Sequence, residues 1–168
     1  EYSTSPDLSN PWFTQWSYDA AARLCYETKK AMPDKTVMVY YLGGINSWMP
    51  SVDGIEPGMF VDYAVADYGG TAAPMQGMTV KQCSGMSIEL NRGSGDSSES
   101  TARSKKEAGY GYYMFFALGH TTSLVNDFDD YRFQVGRCQS VARGLYDEEL
   151  LMPEYYYKKN DATRYKLP

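Results

Sequence analysis

The chain has 168 residues, 43% of them hydrophobic, a formal net charge of −5 and one histidine. That length suits one globular domain, and the acidic balance excludes a phosphate-backbone binder, which needs a basic footprint, so no nucleic acid partner is expected. No apolar run approaches the roughly 20 residues that a spanning helix needs, so no membrane span is expected either.

The aromatic content is high, with 16 Tyr, 6 Phe and 3 Trp. A tyrosine ring can stack on the apolar face of a pyranose while its hydroxyl bonds a sugar hydroxyl, although structural aromatics share this composition. Cys25, Cys83 and Cys138 are odd in number and widely spaced, which indicates neither a disulfide framework nor a zinc site. They are expected to be three buried free thiols, with no metal and no cofactor. The first residue is Glu and no signal peptide is visible. This raises the expectation of a processed or truncated piece whose targeting segment is out of view.

Residues 16 to 32 read as a helix. Ala21, Leu24, Cys25 and Thr28 form a stripe, Asp19 lies in the first turn, Lys29 and Lys30 lie in the last, and Pro33 follows. The continuous apolar run Thr36 to Tyr41 then predicts a strand buried on both faces. A loop with Pro50 and Pro57 leads to a second strand, Phe60 to Val65. Met86 to Leu90 predicts a third, followed by NRGSGDSSES, which reads as a mobile loop. Residues 98 to 108 suit a polar helix, and Tyr112 to Leu118 (YYMFFAL) is the strongest strand signal. In the last long helix Phe128, Tyr131, Val135, Cys138, Ala142 and Leu145 recur every three or four residues. Its start is acidic at Asp127, Asp129 and Asp130, and Arg143 and Gly144 suit its C-terminus. From Met152 the chain reads as a surface-hugging extension.

Strands alternating with helices predict βαβ units and a parallel sheet. About four strands are legible, whereas a (β/α)8 barrel usually needs roughly 250 residues. A half barrel would leave open strand edges, which proteins avoid.

Several segments, in order, resemble the endo-β-N-acetylglucosaminidases of glycoside hydrolase family 18, the Endo H and Endo F type. Glu1-Tyr2 is similar to the end of that family's Asp-Gly-x-Asp-x-Asp-x-Glu strand. Ala31-Met32-Pro33-Asp34-Lys35 with the apolar strand after it resembles the next helix-to-strand junction. Val61-Asp62-Tyr63-Ala64 through Tyr68-Gly69 resembles the sixth barrel strand and its catalytic tyrosine. Ala108-Gly109-Tyr110-Gly111-Tyr112 resembles the approach to the eighth strand, and Leu145-Tyr146 the close of the last helix. The resemblance implies an α/β fold, the C-terminal half of a (β/α)8 TIM barrel running from the end of strand four through helix eight. Residues 1–150 would be that half, and 151–168 an extension packed on the barrel.

The same resemblance implies the chemistry. The acetamido carbonyl of the substrate's own N-acetylglucosamine attacks the anomeric carbon, so the usual pair of enzymic carboxylates is not required. A glutamic acid with a raised pKa donates to the leaving oxygen, a role that falls on Glu1. The alternative is a frayed terminal residue. The partner aspartate, two positions earlier, would precede residue 1, so the isolated chain is expected to be inactive. Tyr68 matches the tyrosine whose hydroxyl bonds the acetamido carbonyl; the alternative is a strand-end aromatic packed on a loop. Where relatives carry Asn or Gln two positions before it, this chain has Ala66, which removes one polar contact to the substrate. Asp67 is a candidate substitute.

Barrel sites are built at the C-terminal ends of strands. Tyr41, with Tyr40, ends the first strand of the chain, and Asn46 and Trp48 follow in the loop. Core packing suits one of the two tyrosines, while Trp48 is the best sugar-stacking candidate of the tryptophans. Glu89, near the end of the third strand, suits a bond to sugar hydroxyls, a pair with Arg92 or a solvated position. His120 follows the YYMFFAL strand and is at most a substrate contact, since no nucleophile partner is apparent.

Three motifs are set aside. Asp53-Gly54-Ile55-Glu56 lacks a preceding strand. Asn126-Asp127-Phe128-Asp129-Asp130 lacks the loop glycine and distal glutamate of a calcium loop. NRGSGDSSES has no lysine placed for phosphate.

The resemblance therefore implies hydrolysis of the chitobiose core of N-glycans. The implied partners are an N-acetylglucosamine-containing glycan or glycoprotein and the N-terminal half of the same barrel. The implied location is secreted, periplasmic or cell-surface. A glycan-binding protein that has lost catalysis and an unrelated α/β domain are the alternatives.

Overall fold

The computed structural model describes residues 11–41, 49–66, 69–90, 95–116, 128–150, 155–157 and 164–166, with side chains for 18–40, 49–66, 69–90, 95–116 and 133–150. Helix α1 spans Pro11–Ala31. It starts earlier than its apolar stripe suggests, because proline suits a first helical position, where its missing N–H has no intrahelical partner anyway. Asp19 is therefore mid-helix, while Lys29 and Lys30 do occupy the last turn. The buried face runs through Ala21 and Ala22, with Cys25 and Tyr26 packed beside them. Leu24, expected in that stripe, is exposed.

Strands β1 (Met38–Tyr41) and β2 (Tyr63–Ala66) pair in parallel, as do β3 (Ser84–Glu89) and β4 (Tyr112–Phe116). A parallel bridge between Ala64 and Cys83 joins β2 to β3. Just beyond β2 the chain continues along β3. The Ala72 N–H donates to the Ser84 carbonyl at 3.0 Å, and the Ser87 N–H donates to the Gly70 carbonyl at 3.1 Å. The strands thus lie side by side in chain order, all parallel, as the alternating pattern requires.

One face of this sheet is covered. Val39, Ala64, Ala66 and Cys83 pack with Ala21, Ala22, Phe60, Ala72 and Met75 beneath α1. Ile88, Leu90 and Tyr113 pack with Ala102, Val141 and Leu145 beneath the other two helices. These are α2 (Glu99–Glu107) and α3 (Phe128–Tyr146).

The other face differs from expectation. Met38 and its register partner Tyr63 are 56% and 41% exposed, and Phe116 is 48% exposed. Burial on both faces of β1 is therefore not found. Tyr63 and Tyr112 meet edge to face on this side, 5.2 Å between ring centroids. Residues paired with alternate positions of β4 share its facing. Ser84, Ser87 and Glu89, paired with Tyr112, Met114 and Phe116, therefore form a polar stripe on the same side, where all three are buried, so this face is only partly open.

Several local features settle boundaries. Ser98 caps α2, its hydroxyl accepting the Thr101 N–H at 3.3 Å. Gly144 is not the C-cap of α3: the helix continues to Tyr146, and Asp147 takes the left-handed conformation at φ 57°. On α3 the buried positions are Gln134, Arg137, Val141, Ala142, Gly144 and Leu145, whereas Val135 and Cys138 are half-buried. The seam is thus rotated from the purely apolar stripe and includes two polar side chains.

Asp62 ties three elements together. Its carboxylate accepts the Val37 N–H at 2.7 Å and Lys29 Nζ of α1 at 2.9 Å. Burial opposes its ionisation, but these two donors prevail and hold the carboxyl below its ordinary value. The tail holds a short antiparallel pair, β5 (Tyr155–Tyr157) with β6 (Arg164–Lys166), where a plain extension was expected.

Candidate functional site

The parallel register places the C-terminal ends of the strands on one rim, with Tyr41 beside Ala66 and Glu89 beside Phe116. By chain order, every candidate except Glu1 belongs to these ends or to the segments leaving them. Tyr41 closes β1 and Glu89 closes β3. Glu1, Asn46, Trp48, Asp67, Tyr68 and His120 lie outside the described residues, as does the side chain of Tyr41.

Glu89 is 4% exposed, so a solvated position is excluded. Its side chain lies on the open face, on the stripe that begins at Ser84. Ala66, the departure from the family pattern, is enclosed in the cluster beneath α1. In this chain that position belongs to the core.

The segment flanking the Asp67–Tyr68 pair is anchored on both sides. Before it, Ala66 is a ladder residue of β2. After it, Gly69 adopts φ 80°, a left-handed conformation suited to glycine, and Gly70 accepts from β3. Thr71 Oγ1 donates to the Gly85 carbonyl at 2.9 Å and accepts from Lys105 Nζ of α2 at 2.8 Å. Lys105 also lies over the Tyr110 ring, 5.2 Å from its centroid. Gly85 must be small here, because an added Cβ would sit 2.9 Å from Tyr113 Cε1.

The loop leaving β3 is also held. Arg137 of α3, 8% exposed, reaches under it. Its Nη1 donates to the carbonyls of Glu89 at 3.0 Å and Leu90 at 3.4 Å, its Nη2 to that of Gly95 at 2.9 Å, and its Nε to Ser97 Oγ at 2.9 Å. Burial pushes this guanidinium below its ordinary value, opposed by the charges of Cys138 and Asp96. It remains a cation at neutral pH. Asp96 accepts the Ser98 N–H at 2.8 Å and the Thr101 hydroxyl at 2.5 Å, which holds its carboxyl below the ordinary range. Residues 95–98 are therefore packed and bonded, contrary to the expected mobile loop; 91–94 lie outside the described residues. Hydrophobic periodicity cannot register a guanidinium that bonds carbonyls, so Arg137 escaped the sequence reading. A lone Arg on the seam of a helix was its only signal.

The thiols are not activated. Burial raises Cys25 and Cys138 and takes Cys83 up to about 11; contrary to the expectation of three buried thiols, only Cys83 is buried, while Cys25 and Cys138 are half-buried. Among the described residues no cluster of His, Cys, Asp and Glu could hold a metal, and no helix is long and apolar enough to cross a membrane. The set-aside Asp53-Gly54 is a tight turn between bridged Val52 and Ile55, with φ of 51° and 80°, and Asp53 pairs with Arg23 at 2.8 Å. Three buried hydroxyls, on Ser84, Ser87 and Tyr113, have no hydrogen-bond partner among the described residues. The two serines face the open side. Tyr113 is pushed up to about 12, by burial first and then by the Asp96 charge.

No protein-family model matches the chain. Endo-beta-N-acetylglucosaminidase F1 of Elizabethkingia meningoseptica is 34% identical over 163 residues, which cover 95% of this chain and 46% of that protein. Two solved structures of Bacteroides thetaiotamicron EndoBT-3987 align at 41% identity over 100% of this chain. One, with a Man5GlcNAc product, gives a TM-score of 0.70 and is covered over 37% of its length. The other, in complex with a Man9GlcNAc2Asn substrate, gives 0.69 and is covered over 40%. The chain is thus similar, over almost its whole length, to part of an endo-β-N-acetylglucosaminidase, and it spans less than half the length of the relatives it matches.

Proposed function

We propose that the chain is the second half of a family 18-like (β/α)8 barrel, from the end of strand four through helix eight. The intact protein would be an endo-β-N-acetylglucosaminidase that cuts the chitobiose core of N-glycans. On this reading residues 1–150 would be the half barrel and 151–168 an extension of it. The observation that carries this reading is 34% identity sustained over 95% of the chain to an enzyme of that name, of which it covers 46%. The solved relatives support the glycan class, one holding a GlcNAc2 substrate and one a single-GlcNAc product, as a cut between the two GlcNAc units requires.

The open sheet face supports the half-barrel reading. Met38, Tyr63 and Phe116 are partly exposed on it, whereas Val65, Ser84, Ser87 and Glu89 on the same side are buried. Two buried serine hydroxyls on it lack partners among the described residues, and an unmade buried hydrogen bond costs roughly 1–3 kcal/mol. A further set of strands closing over this face would cover the first and bond the second. Its occupant is the N-terminal half of the same barrel.

In the mechanism, Glu1 protonates the leaving oxygen while the acetamido carbonyl of the substrate attacks the anomeric carbon, and water opens the resulting oxazolinium with retention. Tyr68 donates its hydroxyl to that carbonyl. In the family's pattern the orienting aspartate stands two positions before the acid, outside residues 1–168, so on this reading those residues alone should not turn over. A glycoprotein substrate would suit a secreted, periplasmic or cell-surface setting. The test is the full-length parent against its Glu1→Gln variant on a Man9GlcNAc2-Asn glycopeptide. Loss of the general acid should lower kcat roughly 10²- to 10⁴-fold. Unchanged release would remove Glu1 from the mechanism, while binding without any release by the parent would indicate a lectin on the same fold.

A further inference from the structure

The β3–α2 loop leaves the rim at Glu89 and returns at Gly95, and a single side chain grips both limbs. Arg137 bonds Glu89 and Leu90 on the outgoing limb and Gly95 and Ser97 on the returning one, at 3.0, 3.4, 2.9 and 2.9 Å. It is buried, and the guanidinium fork presents its donors in fixed directions, which suits several acceptors at once. The returning limb rests directly on β3. Gly95 has φ 80°, and a Cβ there would lie 2.8 Å from the Ser87 carbonyl and 3.1 Å from Ile88 Cγ1. The Asp96 N–H is 2.9 Å from Met86 Sδ, and the Asp96 carboxylate holds the start of α2. The two limbs are therefore cinched together, and Glu89, the rim candidate whose side chain is described, lies on one of them.

We propose that Arg137 is a positioning residue for glycan binding: it fixes the two limbs of the β3–α2 connection, at Glu89 and Leu90 and at Gly95 and Ser97, as part of the wall of the sugar groove without touching substrate. Taking a cation out of water is costly unless its donors are met. Helix α3 could have buried an aliphatic side chain here at no such cost, and an aliphatic side chain would not have tied the two limbs. This inference rests on the glycan-cleaving reading above. A loosened wall weakens binding of ground state and transition state alike, so KM should rise with kcat nearly unchanged.

The experiment compares Arg137→Lys and Arg137→Gln in the full-length protein with the parent. Hydrogen exchange is followed in peptides covering 89–98, and kcat and KM are measured separately on a Man9GlcNAc2-Asn glycopeptide. Arg137→Gln should speed exchange within 89–98 while leaving β1 and β2 protected, and should raise KM about tenfold, the loss expected for a charge-assisted hydrogen bond. Lysine, a point charge without the fork, should restore only part of both effects. Unchanged exchange in 89–98 overturns the clamp. Faster exchange there with unchanged KM, or a kcat loss equal to the whole effect, overturns the role in substrate binding. A parent without activity would instead refute the functional reading, and the exchange arm would still decide the clamp.

Discussion

Two glycines on α3 make opposite predictions for the same substitution. Gly144 faces α2, where an added Cβ would stand 2.5 Å from Ala102 Cβ, 2.5 Å from the Glu99 carbonyl oxygen and 3.0 Å from the Arg103 N–H nitrogen. None of these atoms can swing aside by a rotamer change, so the helices must separate. Overpacking of this kind costs roughly 1–3 kcal/mol, against a helix-propensity gain for alanine of about 1 kcal/mol. Gly144→Ala should therefore destabilise by up to about 2 kcal/mol, lowering Tm by as much as several degrees in a chain of this size. At Gly136 nothing among the described residues lies within 4 Å of the new Cβ. Gly136→Ala should gain the propensity term alone, about 0.5–1 kcal/mol. Urea unfolding of the pair, with m-values checked for constancy, reads both. If Gly144→Ala proves as stable as Gly136→Ala, the close α2–α3 packing is wrong.

Asp62 makes a pH prediction. Its carboxyl is held below its ordinary value in the fold, so its contribution is present above the unfolded value of about 3.9 and is lost as pH falls through the folded one. Asp62→Asn should cost roughly 1 kcal/mol at pH 7, given partial solvent screening, and the gap to the parent should begin to narrow below about pH 4. A gap that stays constant in thermal melts as pH is lowered through the acid range would show that the charge is not its source. Tyr68→Phe in the full-length protein should lower kcat by roughly 10²-fold, as removal of a donor to a developing charge does elsewhere. A kcat within twofold of the parent would return Tyr68 to a packing role.

The order of strands and helices was legible because apolar runs alternate with capped helical segments, and Ser98, Lys29 and Lys30 mark ends by capping and charge alone. The seam of α3 was misplaced, because Gln134 and Arg137 are buried by what they bond rather than by hydrophobicity. The packing of residues 95–98 was hidden for the same reason: Gly and Ser read as mobile until Gly95 is found pressed against the Ser87 carbonyl. Met38 broke the two-sided burial expected of β1 because burial depends on what closes over the sheet, which lies beyond a local pattern. Of the candidate site, Glu89 and the strand ends emerge from periodicity. The roles of Glu1 and Tyr68 came only from the resemblance and remain proposals.

The most direct test of the central claim is mass analysis of a Man9GlcNAc2-Asn glycopeptide after incubation with the full-length protein and, separately, with residues 1–168. The account predicts that the full-length protein leaves one GlcNAc on the asparagine and releases the rest of the glycan, while residues 1–168 leave the glycopeptide intact. A full-length protein that leaves the glycopeptide intact, or cuts anywhere but between the two GlcNAc units, would contradict it, as would turnover by residues 1–168 alone.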